Sequence, residues 1–132
     1  EIDYTDTIGE WFTYLILSSG DDPLTRQQDT LAKAAAEGWG GDAYALLNHP
    51  ETDEQAIFIH YVWDTSTDAS EAWKTFEKYA QTRFPNVADQ GIMHSATVYS
   101  LLQADPAGIE HGFYWLLADT QAALQALMAA LP

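Results

Sequence analysis

The stretch Gly38-Trp39-Gly40-Gly41-Asp42-Ala43-Tyr44-Ala45-Leu46-Leu47 decides the fold of this chain. Three glycines around one tryptophan are typical of a tight joint, and the residues after Asp42 have the pattern of a strand. An alanine-rich helical pattern precedes them, so Gly38 is expected to end a helix. We therefore expect Trp39 to fill the joint between that helix and a sheet, with Asp42 binding backbone amides that the turn exposes.

The composition is that of a folded and strongly acidic domain. The chain has 132 residues, 47% of them hydrophobic, with five Trp, seven Tyr and five Phe. This length and apolar content suit one domain with a substantial core. The formal net charge is −15. Because nucleic acids and anionic membranes are bound through Lys and Arg, this charge argues against both and favours a basic protein partner.

The N-terminal part, residues 7–37, is predicted to be helical. Thr7-Ile8-Gly9-Glu10 has the spacing of a capping box before an apolar run. That run, residues 11–17, is apolar nearly all round, so its helix should be covered on more than one side. Asp22-Pro23 then predicts the start of a second helix, which continues through residues 24–37.

Two segments of similar pattern follow. Residues 42–82 have the pattern of strand, turn, strand and helix, and residues 92–131 show the same order. Tyr44-Ala45-Leu46-Leu47 in the first segment resembles Tyr99-Ser100-Leu101-Leu102 in the second. The second strand of the first segment is apolar on both faces, which predicts a central position or a sheet covered on both sides.

These patterns predict an α+β fold in a single domain spanning residues 1–132. Two N-terminal helices are followed by tandem ββα units. Their four strands form an antiparallel sheet, and the helices pack on one face of it.

Few residues suggest catalysis or metal binding. Cysteine is absent, which excludes disulfides, thiol nucleophiles and Cys-ligated zinc. His60, His94 and His111 lie in or beside predicted strands and are the alternative candidates for a metal site or a general base. Their spacing matches no HExxH or His-x-His pattern, so we expect ordinary sheet and surface histidines. We predict no catalytic residue, no cofactor and no metal.

Two other motifs are interpreted as structural. A phosphate-binding loop needs glycines that open onto a helix N-terminus, whereas Gly38, Gly40 and Gly41 follow a helix C-terminus. Asp64-Thr65-Ser66-Thr67-Asp68 has the alternating oxygens of a calcium loop, but Ala69 and Thr75 stand where an EF-hand needs Gly and Glu. This second motif predicts a helix N-cap.

Three parts of the chain carry a family resemblance: Thr7-Ile8-Gly9-Glu10, residues 34–44, and Val62-Trp63-Asp64-Thr65 followed by Asp68-Ala69 and Phe76. They are similar to the C-terminal domain of secreted or lipid-anchored proteins of unknown function from Chloroflexota-type bacteria and haloarchaea. The Gly-Trp-Gly-Gly-Asp core at residues 38–42 is the most specific part. That family usually has Arg after this Asp, whereas this chain has Ala43. The resemblance implies an extracytoplasmic location and an accessory role, and no established activity.

We therefore expect a non-enzymatic, extracytoplasmic protein-interaction module. It would be an accessory subunit of a larger extracellular assembly, or of a membrane-associated one reached through a partner. Tyr61, Tyr99 and Tyr114 are the candidate anchors for a protein partner. The alternative is a small-molecule binder or enzyme of the ferredoxin-like dimeric-barrel type, with one of the three histidines as base or ligand, by fold-level analogy.

Overall fold

The structure is a computed structural model that describes residues 1–19, 23 and 25–132. It contains both helices and strands, which confirms the predicted α+β content. The elements in chain order are β1 (Ile2–Asp6), α1 (Gly9–Ser18), α2 (Asp29–Ala36), β2 (Trp39–Asn48), β3 (Gln55–Trp63), α3 (Ser66–Arg83), β4 (Asn86–Val87), β5 (Met93–His94), β6 (Tyr99–Ala104), β7 (Phe113–Ala118) and α4 (Gln121–Ala130).

The predicted four-stranded sheet is wrong, because the described residues form a sheet of seven strands. Its order is β1-β2-β3-β7-β6-β5-β4, and every neighbouring pair is antiparallel. The predicted order of two N-terminal helices followed by tandem ββα units is also wrong, because β1 precedes α1 and adds to one edge, while β4 and β5 lie between α3 and β6 and extend the other. The four predicted strands lie together as β2, β3, β7 and β6, with β3 and β7 at the centre.

The prediction that the helices cover one face is also wrong, because they cover both. Alternate residues of a strand point to opposite faces. The first face carries Ile59, Tyr61 and Trp115, which pack with α1, α2 and α3. The second face carries Phe58 and Leu116, which pack against α4.

Helices α3 and α4 each begin at a threonine whose side chain caps the helix. Thr65 accepts the backbone N–H of Asp68 at 3.1 Å and starts α3. Thr120 accepts that of Ala123 at 3.1 Å and starts α4. The predicted start of the second helix falls partly on Asp22, which lies outside the described residues, as does Leu24. The described helix α2 begins only at Asp29.

Small residues allow α2 to approach the sheet and α3 closely. Ala32 and Ala35 of α2 and Ala72 of α3 are fully buried in the same cluster. The indole Nε1–H of Trp63, at the end of β3, donates to the carbonyl oxygen of Ala35 at 3.0 Å. This bond fixes α2 directly over the joint that leads into β2. Within the described part of the chain, no helix combines the length and apolar character needed to cross a membrane.

Candidate functional site

The carboxylate of Asp42 joins the start of α1 to the sheet. Its Oδ1 accepts the backbone N–H of Ile8 at 2.6 Å, and its Oδ2 accepts that of Gly9 at 2.8 Å. Oδ2 also accepts the indole Nε1–H of Trp39 at 2.8 Å. Ile8 has right-handed helical angles and Gly9 has a φ of 82°. Such a pair of residues forms a concave nest of N–H groups that binds anions, and Asp42 supplies the anion from within the chain.

The capping box predicted over residues 7–10 does not form. The residue before α1 is Ile8, and no side chain caps it. The hydroxyl of Thr7 lies instead 3.5 Å from the backbone oxygen of Asp42. The N–H of Thr7, which Glu10 would accept in a capping box, donates to Asp6 Oδ1 at 2.8 Å instead, and Asp42 accepts the N–H groups of Ile8 and Gly9.

The predicted structural motif lies where α2, β2 and the start of α1 meet. Gly38 has a φ of 73°, and a Cβ at this position would overlap the side chain of Asp68. The carbonyl oxygen of Gly38 accepts the N–H of Asp64 at 2.7 Å. Trp39 is half-buried and packs against the main core. Together with Gly40, Gly41 and Asp42, these residues set the position of α1 on the first face.

The outer side of α1 exposes two large aromatic side chains, Trp11 and Phe12, which we call the aromatic face. Trp11 is 65% exposed and Phe12 is 62% exposed. The fully buried residues of α1 are Thr13 and Leu17. The expectation that this helix is covered on more than one side is therefore wrong for the side that carries Trp11 and Phe12. A helix whose residues are apolar on all sides has more apolar surface than one packing contact can bury. The sequence does not show which side of the helix stays exposed.

The three tyrosines predicted as anchors are mostly inaccessible. Tyr61 is 0% exposed, with its ring among those of Trp63 and Phe113. Tyr114 is 7% exposed and Tyr99 is half-buried. The exposed aromatic residues lie on α1 and β1 instead.

The three candidate histidines do not meet. His94 stacks on Tyr99 with ring centroids 5.1 Å apart, and His111 is exposed beside Glu110. His60 points from β3 to the second face, where its Nε2 lies 2.7 Å from Asp105 Oδ2. The described residues contain no group of three or more His, Asp or Glu side chains that could hold a metal ion.

The contact with Asp105 holds the imidazole of His60 in one orientation. Its ring stacks on Tyr114 with centroids 4.4 Å apart. The backbone N–H of Ala107 donates to the carboxylate of Asp105. This hydrogen bond, and to a smaller extent His60, lowers the pKa of the Asp105 carboxyl below its usual value, while burial acts in the opposite direction. An imidazole held by a carboxylate at one nitrogen can act as a base through the other. No nucleophile is bound to it among the described residues.

Comparison with known proteins places the chain in a family. No curated protein and no solved structure matches it. A family model, described as a domain of unknown function, matches residues 2–120. The matched region contains the Asp42 nest, the aromatic face and the His60–Asp105 pair. The chain therefore belongs to the DUF8575 family.

Proposed function

We propose that this domain is a non-enzymatic protein-interaction module whose binding surface is the aromatic face of α1. The observation that carries the proposal is the exposure of Trp11 and Phe12, at 65% and 62%, on adjacent positions of one helix. Tryptophan and other aromatic side chains dominate the binding energy of protein interfaces. Exposed apolar surface of this kind marks a site of interaction more often than a defect of packing.

The aromatic face is held rigidly, which favours binding. The N-terminus of α1 is bound to Asp42, and the hydroxyl of Tyr14 donates to Asp29 of α2 at 2.6 Å. The ring of Trp11 lies 5.4 Å from that of Tyr14, between centroids. A surface that is already ordered loses less conformational entropy when a partner binds.

The charge around the aromatic face favours a basic partner. Glu10 and Glu37 line the hollow beside Trp11. The cation there, Lys33, is paired with Asp29 at 2.8 Å. With a net charge of −15 for the chain, the field attracts a positively charged surface and speeds the encounter with it.

We further propose that the domain acts outside the cytoplasm as an accessory subunit of a larger assembly. This part of the proposal is supported by the resemblance to secreted and lipid-anchored proteins. We also propose that the Gly-Trp-Gly-Gly-Asp pattern at residues 38–42 is a shared feature of the relatives, because its aspartate positions α1. Immunodetection in separated cytoplasmic and extracytoplasmic fractions of the source organism tests the location, and a purely cytoplasmic signal contradicts it.

Site-specific crosslinking tests the proposed surface. A photo-reactive phenylalanine at position 12 is expected to crosslink one partner in the native organism, which mass spectrometry then identifies. The same group at Val87, which is 75% exposed on β4, is the matched control. Equal labelling from positions 12 and 87 would contradict a surface on α1.

Binding of the purified partner then measures the contribution of the two aromatic side chains. We expect Trp11→Ala with Phe12→Ala to weaken binding by about 2 kcal/mol or more, as for interface hot spots. Val87→Ala should leave the affinity unchanged. Affinity should also fall as salt is added, because the partner is basic. Undiminished affinity of the double variant rejects the proposal.

A second candidate function is small-molecule chemistry at His60, favoured by the 2.7 Å contact between its Nε2 and Asp105 Oδ2. Native mass spectrometry of material purified under mild conditions tests it. A bound compound that His60→Gln removes, while the fold stays intact by circular dichroism, supports this candidate. An empty protein, with a crosslinked partner at position 12, favours the interaction module.

A further inference from the structure

A cleft opens on the first face between the C-terminal half of α3 and the ends of β2, β3 and β7. Its volume is about 360 Å³, within the range of small-ligand pockets. Leu46, Ile57 and Leu117 are among the apolar residues that line it, and the aromatic rings of Tyr79 and Trp115 add to its wall. The cleft is separate from both the aromatic face and the His60–Asp105 pair.

The aromatic wall is ordered by one hydrogen bond from below and by a contact between its two rings. The Nε1–H of Trp115 donates to the buried hydroxyl of Ser100 at 3.0 Å. The ring of Tyr79 meets that of Trp115 edge to face, with centroids 6.0 Å apart. Aromatic faces held in this way attract cations as well as apolar groups.

The rim of the cleft is mainly negative or hydrogen-bond accepting. Asp3 and Asp119 bring two carboxylates, and the Asp119 carboxylate is oriented by accepting the N–H of Gln55 at 2.9 Å. The side-chain oxygen of Asn48 is buried and accepts no hydrogen bond from the described residues. The one cation among the described lining residues, Arg83, has its guanidinium carbon 5.5 Å from the centroid of the Phe84 ring. It also interacts with the hydroxyl of Tyr79, whose pKa burial raises and Arg83 lowers by a smaller effect.

We propose that this cleft binds a small organic cation. Its apolar or aromatic body packs on Leu46, Ile57 and Trp115, and its ammonium or amidinium group lies at the rim beside Asp119. The net charge of −15 attracts such a ligand and disfavours an organic anion. An N–H group on the ligand also donates a hydrogen bond to the side-chain oxygen of Asn48, which accepts none from the described residues.

Two fluorescent probes of opposite charge test the proposal on the full chain. Thioflavin T is a flat cation, and anilinonaphthalene sulfonate is an anion of similar size. We expect saturable binding of thioflavin T at a stoichiometry of one, with a shift of the Trp115 indole N–H resonance in NMR spectra. Tighter binding of the anionic probe at Trp115 would overturn the proposal, as would the absence of saturable thioflavin T binding.

Charge variants test whether negative charge at the rim of the cleft strengthens thioflavin T binding. Asp119→Asn keeps an oxygen for the N–H of Gln55 but removes the charge, so thioflavin T should bind about threefold more weakly, as expected for a partly solvated ion pair. Glu71→Gln removes the same charge from an exposed position of α3 away from the cleft and should have a smaller effect. Arg83→Gln should strengthen binding of the cation. Weaker thioflavin T binding in Arg83→Gln, or equal effects of Asp119→Asn and Glu71→Gln, contradicts the proposal.

A blocking variant locates the probe. Leu117 is half-buried in the cleft, and Leu117→Trp places an indole where the ligand body would lie. This variant should abolish thioflavin T binding while its circular dichroism spectrum remains that of the parent. If it misfolds, Leu46→Phe provides the same test from the neighbouring strand β2. Undiminished binding in a folded blocking variant would show that the probe binds elsewhere.

Discussion

The carboxylate of Asp42 and the indole of Trp39 are joined by a hydrogen bond of 2.8 Å, from Nε1–H to Oδ2. The same carboxylate accepts the N–H groups of Ile8 and Gly9. One side chain therefore holds a core tryptophan, the second strand and the first helix in a fixed relation. Its removal should affect all three together.

The first prediction concerns this carboxylate. Asp42→Ala should lower the free energy of unfolding by about 3 kcal/mol, because it leaves partly buried N–H groups without an acceptor. Asp42→Asn should cost about half as much, since one side-chain oxygen remains. Urea denaturation measures both values. Asp64→Asn, at an exposed position near the same joint, should change stability by less than about 0.5 kcal/mol; an equal loss there would show that the Asp42 contacts are not special.

The second prediction compares two glycines with positive φ. A Cβ on Gly112, whose φ is 141°, would overlap the carbonyl oxygen of Tyr61 in the neighbouring strand. A Cβ on Gly9, whose φ is 82°, would meet no atom of the described residues within 4 Å. Gly9→Ala should therefore cost about 1 kcal/mol from backbone strain alone. Gly112→Ala should cost about 3 kcal/mol or more, because the central strands must move apart.

Thermal melting of the two variants checks this ranking. Similar melting temperatures for the two variants would mean that β7 can move away from β3 with little loss of stability. A larger loss for Gly9→Ala would instead point to the Asp42 nest as the weaker part of the structure.

The third prediction concerns two buried hydroxyl groups. The hydroxyl of Tyr61 is buried and has no hydrogen-bond partner of good geometry among the described residues. The hydroxyl of the nearby Thr13 donates to the carbonyl oxygen of Gly9 at 2.8 Å. Burial raises the pKa of Tyr61 well above its ordinary value, against a smaller opposite effect of Thr13. Tyr61→Phe should therefore be neutral or should stabilise the fold by up to about 1 kcal/mol.

Ser100→Ala is the matched comparison. Ser100 is fully buried, and its hydroxyl accepts the indole N–H of Trp115. Its loss leaves that N–H unpaired and should cost about 2 kcal/mol. Both variants remove one buried oxygen, so chemical denaturation of the pair isolates the effect of a partner. A destabilised Tyr61→Phe would reveal a hydrogen bond of Tyr61 that the structure does not contain.

The fourth prediction is a pH dependence at Asp105. The N–H of Ala107 and then His60 hold the pKa of its carboxyl below the usual value in the folded chain. The ionised Asp105 carboxylate stabilises the fold fully at a pH above the pKa of Asp105 in the unfolded chain, which is about 4. This stabilisation is lost as the pH falls through the lower pKa that Asp105 has in the folded chain. Asp105→Asn should therefore lose less stability than the parent below about pH 4.

Urea midpoints measured from neutral to acidic pH check this fourth prediction. Asp3→Asn, at an exposed position of β1, removes the same charge and serves as the control. Parallel pH profiles for Asp105→Asn and the parent would contradict a role for the contacts of the Asp105 carboxylate with Ala107 and His60 in acid stability.

The sequence predicted the four central strands because they bury side chains. In β3, Ile59, Tyr61 and Trp63 are buried on one face, and such residues give a clear apolar signal. Strand β1 gives no such signal, because all five of its residues are exposed and its pairing with β2 rests on backbone hydrogen bonds. Strands β4 and β5 have two residues each, too short for any periodicity.

The site was less predictable, because it depends on contacts between distant parts of the chain. Thr7 and Glu10 have a local capping pattern, but the start of α1 is held instead by Asp42, more than thirty positions away, which accepts the N–H groups of Ile8 and Gly9. His60 and Asp105 are 45 positions apart and meet only because β7 lies between β3 and β6. Predicting the aromatic face requires knowing which side of α1 packs against α2. The sequence of α1 does not show this, because the run is apolar on all sides.

The placement of α3 and α4 on opposite faces has a consequence for the two hairpin-and-helix segments, β2-β3-α3 and β6-β7-α4. A half-turn about an axis perpendicular to the sheet, between β3 and β7, brings β2 and β3 onto β6 and β7 but leaves α3 on its own side. The two segments are thus opposite in chirality, and no rotation superimposes them. The likeness of residues 44–47 to residues 99–102 therefore stops at the strands and does not extend to the helices that follow them.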